Sequence, residues 1–289
     1  MKVDVVCVGD PFLDLIFRGL PSFPVPGEER LATDLVVVPG GMANVAYALG
    51  RLELAAVVCA PMGQDPAGRL LAGLMADAGI TWVGRVTDAT PVTVALPADG
   101  DRALVTLMPA PTVDAETLVG ITTRAIVVDL PSAGQLPVLP SPTRVYAVVG
   151  DPEVAMLTGR LPADLDDIHA LVLNRREVVG LTGRSDVVSA ARHLADLGTT
   201  VVVTRGSEGA IAVEPDGRIV EVAARIAEVA DPTGAGDLFA AAYVWADLAG
   251  HDLEERLRLA ASYASLSLER PTDRQKGITL REFRALMPA

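Results

Sequence analysis

Residues 231–237 read Asp-Pro-Thr-Gly-Ala-Gly-Asp and run straight into the apolar stretch LFAAAYVWADLA. Glycines at 234 and 236 leave the backbone bare, so a ligand can approach it closely. A helix starting there turns its free N–H groups and the positive end of its dipole toward the turn. Gly234, Ala235 and Gly236 then form an anion pocket suited to phosphate. An ordinary glycine turn, with Asp237 satisfying helix-end amides, accounts for these features equally well. The carboxylate argues for more. Beside a phosphate it repels, so it is a poor choice for binding alone, but it suits a base that takes the proton of a hydroxyl attacking phosphorus. Phosphoryl transfer asks a protein for positioning, a base and charge stabilisation, and little else.

Two other phosphate motifs are excluded. A Walker loop needs Gly-Lys-Ser/Thr, yet the lysines of the chain are Lys2 in MKVD and Lys276 in RQKG. The dinucleotide fingerprint fails because VVCVGDPFLD carries one glycine after the first strand. Phosphate must be held by backbone amides, arginine or metal.

The elements that must position this turn read as α/β. Apolar β-branched runs predict strands at 3–8, 56–60, 125–129, 144–149, 170–173, 200–204, 209–213 and 219–223. Amphipathic stretches between them predict helices at 43–52, 66–78, 184–197, 236–249 and 253–268. The alternation implies a mostly parallel sheet with helices on both faces. Two segments, about 14–38 and 90–108, read as strands without intervening helices, the second turning at Asp99-Gly100. They predict a discontinuous lid, a small antiparallel sheet inserted into a single domain spanning 1–289. Such lids shut over active sites and exclude water.

Composition bounds the partners. A net charge of −13 argues against a nucleic acid, which needs a basic face. No uncharged stretch of about 18 residues suggests a membrane span, and MKVDVVCVGD lacks the apolar region of a signal peptide. A soluble cytoplasmic protein is the expectation. Cys7 and Cys59 sit in apolar strand-like runs and read as buried, inert thiols.

Five segments together resemble the ribokinase-like (PfkB) sugar and nucleoside kinases, almost end to end. PGGMANVAYALGRL at 39–52 and DPTGAGDLFAAAY at 231–243 are similar to the two family signatures. GQDPAGRLLAGLMADAGI at 63–80, LVLNRREVVGLTG and VVVTRGSEGA follow the family's spacing between them. The resemblance implies a three-layer αβα core with a β lid, and an ATP-dependent kinase acting on a hydroxymethyl group. Asp237 is then the general base, with the amides of Gly234, Ala235 and Gly236 as the anion hole. Asp14, Gly40, Gly41 and Asn44 hold the acceptor; Asn174, Thr204, Gly206 and Gly209 line the nucleotide. Asn174 and Glu177, three apart in NRRE, hold Mg2+ through its waters; a helix cap at Asn174 with a solvated Glu177 is the structural alternative.

The chain also departs from the family pattern. Pro232 stands where Thr is frequent, removing one N–H and stiffening the turn. Asp231 resembles a ligand of the monovalent cation (K+) in activated members, but LSLERPTDRQKGITL lacks the usual Gly-Ala pattern, which speaks against activation. A sugar is the leading acceptor, and Phe12 and Met108 at the base of the lid raise an adenosine- or cytidine-like nucleoside as the alternative. A non-catalytic sugar or nucleotide sensor on the same fold is the reading from another class. The lid has open edges and an apolar strand with LVVV at 35–38, and because lids of the family can pair between subunits the resemblance implies a homodimer through the lid.

Overall fold

The computed structural model describes residues 1–98, 101–108, 113–140, 142–158, 160–161, 165–225, 234–269 and 277–287. The chain opens with β1 (Val5–Val8), β2 (Pro11–Arg18), β3 (Asp34–Gly41) and α1 (Met42–Arg51). It continues through β4 (Ala56–Cys59), β5 (Met62–Gly63), α2 (Pro66–Asp77), β6 (Thr81–Val83) and β7 (Val86–Thr87). A hairpin, β8 (Val92–Ala98) and β9 (Asp101–Leu107), precedes α3 (Ala115–Val119), β10 (Ala125–Asp129) and α4 (Leu130–Ala133). Next come β11 (Arg144–Val148), α5 (Asp151–Leu157), β12 (Ala170–Asn174), α6 (Arg175–Thr182) and α7 (Val187–Ala195). The chain ends in β13 (Thr200–Thr204), β14 (Ala210–Val213), β15 (Ile219–Val222), α8 (Ala235–Leu248), α9 (Leu253–Leu268) and α10 (Leu280–Leu286).

The large sheet has the order β15-β14-β13-β12-β11-β10-β1-β4-β6. From β13 to β6 every pairing is parallel, while β14 and β15 add antiparallel at one edge. Successive side chains of a strand point to opposite faces, and the buried residues divide accordingly. Val5 and Cys7 of β1 join the core beneath α1, α8 and α9, and Val6 and Val8 join the core on the other side with Leu118 and Ile121. Likewise Ala170 and Val172 of β12 face the first layer, and Leu171 and Leu173 face α6 and α7. Strands buried on both faces read as continuous apolar runs, which is why the sequence marks them so clearly. This is the three-layer α/β core expected from the sequence.

The second sheet has the order β3-β2-β8-β9. The β2–β3 and β8–β9 ribbons are antiparallel, and they meet through a parallel β2–β8 pairing. The connection from β3 to β8 runs back through the core, which brings β8 in alongside β2 in the same direction. Asp65 ties the two sheets together. It caps α2 by accepting from the Gly68 N–H at 2.7 Å and also accepts from Thr90 Oγ1 at 2.7 Å, just ahead of β8. The Asp99-Gly100 turn lies outside the described residues.

Helix starts follow their caps. The helix expected from 184 begins at Val187 because Asp186 accepts from the Ser189 N–H at 2.6 Å. The short helices α3, α5 and α10 carry too few turns for a periodic signal; side-chain caps begin α3 and α10, and Glu153 ties back to the start of α5. Cys7 and Cys59 are buried free thiols, and burial pushes Cys59 up to about 11.

Helix α8 carries a second aspartate, Asp247, at its far end. It is 2% exposed and sits among four partners. Tyr146 donates its hydroxyl to Oδ2, His169 Nε2 lies 2.8 Å from Oδ2, Arg144 Nη1 3.0 Å from Oδ2 and Arg256 Nη2 2.8 Å from Oδ1. Burial alone raises its pKa, but the hydrogen bonds from His169 and Tyr146 and the Arg256 charge outweigh burial and bring it down to about 2.

Candidate active site

A cleft of about 750 Å³ opens at the carboxyl ends of the central strands. Its floor follows the sheet: Asp10 just beyond β1, Asp129 ending β10, Val148 ending β11 with Val149 and Gly150 after it, Asn174 ending β12 and Thr204 ending β13. The Gly234–Asp237 turn completes the wall. Open parallel sheets bind ligands in the crevice outside the carboxyl ends of their strands.

Gly234 takes the left-handed conformation, φ 77°, as the N-cap of α8, and as a glycine it has no side chain to cap that end. The N–H groups of a helix's first turn have no intrahelical partner, and Gly234, Ala235 and Gly236 line the cleft. Around Gly234 the nearest side-chain atoms would meet an added Cβ at ordinary contact distance, 3.8 Å or more, so backbone conformation rather than space calls for glycine. Behind the turn, α8 is buried from Leu238 to Val244 and packs on α1 and α9, so its N-terminus has little freedom. Asp237, in the first turn, is half-buried, and Asn44 Nδ2 of α1 donates to its Oδ2 at 2.9 Å. The sequence-predicted base and acceptor-holding residue thus meet across 193 positions of chain.

Asn174 and Glu177 form a capping box. Asn174 Oδ1 accepts from the N–H groups of Arg176 and Glu177 at 2.8 and 3.0 Å. Glu177 accepts from the Asn174 N–H and Nδ2, each at 2.6 Å. The cap expected as the structural alternative is therefore present, but Glu177 is buried, 7% exposed, rather than solvated. A buried carboxylate on a cleft wall keeps lone pairs for further donors, and this fits a hydrated Mg2+, which prefers oxygen and retains its waters. Among the described residues no group of three or more His, Cys, Asp or Glu is placed to enclose a metal directly.

Thr204 and Gly206 also line the cleft, Gly206 at φ 59° opening a 3-10 turn to Glu208. Gly209 is not among the lining residues. Its φ is 93° and an added Cβ would lie 2.0 Å from the Val222 carbonyl oxygen, so the packing of β15 explains this glycine. Of the acceptor set, Gly41 lines the cleft, at φ 58°, with the Phe12 ring 2.5 Å from where its Cβ would stand. Gly40 lies against the Asp14 carboxylate, 2.0 Å from an added Cβ, and neither residue lines the cleft itself. Asp231 lies outside the described residues.

Three acids in this cleft escape a motif-based reading: Asp10, Asp129 and Glu153. Asp129 caps α4, accepting from the Ser132 N–H at 3.0 Å, and Glu153 accepts from the Gly150 N–H at 3.0 Å. Burial pushes the Asp10 carboxyl up to about 7, with the charges of Asp129 and Glu153 adding to the rise. Burial likewise raises Asp129, against the lowering effect of its Ser132 hydrogen bonds. The available signal is an acid directly after an apolar strand, at the edge where such sheets bind ligands.

The model of the pfkB family carbohydrate kinases matches residues 2–117 and 151–277. The chain belongs to this family. Among its PfkB relatives, the bifunctional protein HldE of Hyphomonas neptunium is 29% identical over 91% of the chain. The chain spans about 60% of the length of that protein. A nucleoside kinase of Methanothermobacter thermautotrophicus is 26% identical, aligning over 92% of the chain and 89% of its own length. Arabidopsis thaliana ribokinase, solved with ribose and ATP, superposes with a TM-score of 0.77 at 22% identity, covering 99% of both chains. At that identity the likeness establishes the fold. No described helix is long and apolar enough to cross a membrane.

Proposed function

We propose that this PfkB protein is an ATP-dependent kinase that phosphorylates a hydroxymethyl group of a sugar. The observation that carries the reading is the Asn44-held carboxylate of Asp237 in the first turn of a helix whose glycine N-terminus lines the cleft. In this reading the acceptor oxygen attacks the γ-phosphorus, its proton passes to Asp237, and the bond from the γ-phosphorus to the bridging oxygen breaks, releasing ADP. The amides of Gly234, Ala235 and Gly236 stabilise the charge on the transferred group. A base of this kind contributes ~10²–10⁴ in rate.

Thr204 and Gly206 serve the nucleotide phosphates, and Gly209 supports their loop from behind. Glu177, with Asn174, holds Mg2+ through water; when bound, the ion neutralises phosphate charge. Gly41 lines the acceptor side and Asn44 reaches it through Asp237, with Asp14 and Gly40 behind them at the root of the second sheet. That sheet acts as the lid, and its exposed apolar positions, Leu35 on β3 and Leu104, Val105 and Leu107 on β9, favour a homodimer through it. Light scattering tests the dimer directly.

Phe12 and Met108 on the cleft wall favour a second reading, a nucleoside acceptor with the same chemistry. Stacking on a base suits an aromatic ring there. The deciding experiment is ADP release from ATP with a panel of free sugars and nucleosides. Acceptor-dependent turnover supports the kinase; binding of ATP and acceptor without any ADP supports a sensor on the same fold.

A further inference from the structure

Charge is divided along the floor of the cleft. The cationic side chains that line it, Arg175, Arg176 and Arg205, all come from the ends of β12 and β13. Acids on that half are engaged, Glu208 with Arg175 at 2.5 Å and Glu177 with Asn174. The half built from β1, β10 and β11 carries Asp10, Asp129 and Glu153, and among the described residues no lysine or arginine lines it. This acidic half adjoins the start of α1, where the Met42 N–H donates to the Asp10 carbonyl and where Asn44 reaches Asp237. Strand order therefore sets the arginines over the nucleotide side and the carboxylates over the acceptor side.

Resting on the kinase reading, we infer that the acceptor carries no phosphate or carboxylate, and that Asp10, Asp129 and Glu153 form the wall that enforces this. Ionised carboxylates accept hydrogen bonds from hydroxyl or amino groups. An anionic group brought against them is penalised twice, by like charge and by loss of water. The helix N-termini at α4 and α5 pin Asp129 and Glu153 in place, so the wall cannot swing aside at little cost. Strand β10 lies between β1 and β11, and Asp10 senses the charges of both Asp129 and Glu153.

The test uses acceptor pairs in which an added phosphate leaves a primary hydroxyl free. Suitable pairs are D-fructose with D-fructose 6-phosphate, D-glucose with α-D-glucose 1-phosphate, and cytidine with cytidine 3′-monophosphate. Turnover and ligand-induced thermal shift are read on each. For any pair with an active member, kcat/KM for the phosphorylated compound is expected to be at least ~100-fold lower. Asp10→Asn, compared with wild type at pH 8 where the wild-type carboxyl is ionised, should narrow that gap several-fold. A phosphorylated member used within tenfold of its parent overturns the inference and leaves the kinase reading standing. Thermal shifts with free compounds only, and no ADP from any of them, uphold the acidic wall and sink the kinase. Neither shift nor turnover across both classes overturns the two together.

Discussion

The two ends of α8 each carry an aspartate, and the protein treats them in opposite ways. Asp247, near the C-terminus, faces the unfavourable end of the helix dipole and is buried. It is made tolerable by Arg144, His169, Arg256 and Tyr146, which hold it ionised down to about pH 2. Asp237, near the N-terminus, has the favourable dipole and stands half-exposed at a cleft, held by an amide from α1. In the same cleft Asp10 rises to about 7, chiefly through burial, with the charges of Asp129 and Glu153 adding to it. One end of the helix is satisfied for stability. The other stands at the cleft, where the proposed site meets its ligand.

The comparison breaks first at Asp247. Asp247→Ala leaves two arginines, a histidine and a tyrosine without their common partner and should cost about 3–5 kcal/mol in urea unfolding. Because its folded pKa is depressed, the stability it contributes is present above about pH 4 and disappears as pH falls through about 2. The wild type should show that acid loss and the variant should lack it. A cost under about 1 kcal/mol would show that the cluster is not the anchor described.

Asn44→Ala sharpens the other end. Freed of its 2.9 Å donor, the Asp237 carboxylate samples other rotamers, and kcat/KM should fall by about 10- to 100-fold with little change in melting temperature. A smaller effect, and of opposite sign, is expected for Asp10→Asn. The raised pKa means that Asp10 favours folding below its unfolded value near 4 and that this contribution is lost as pH rises through about 7. The asparagine variant should therefore be more stable than wild type at pH 8, on the order of 1–2 kcal/mol, with the advantage vanishing toward pH 4. Equal melting temperatures at pH 8 would remove Asp10 from the set of unbalanced groups.

How much of this was readable in the chain follows from which interactions are local. Strands β10 to β14 are legible because a strand covered on both faces is written as an unbroken apolar run. The start of α8 is legible because a glycine turn runs directly into an unbroken apolar stretch. Asn174 and Glu177 were readable as a pair but not as a buried one, since burial of Glu177 depends on how β12 and β13 meet α6. The acidic wall was not legible at all. Asp10, Asp129 and Glu153 are spread over more than a hundred residues, and only the strand order that sets β1, β10 and β11 side by side brings them together. Gly209 shows the converse: a motif position whose glycine answers to the β15 backbone against it.

The most direct test is Asp237→Asn, assayed for γ-phosphoryl transfer together with ATP and acceptor binding. The amide keeps shape and the contact with Asn44 but cannot accept a proton into a carboxylate. Turnover is predicted to fall by ~10²–10⁴ with both dissociation constants within a few-fold of wild type. Turnover preserved within tenfold would contradict the assignment of the base and, with it, the account given for this end of α8.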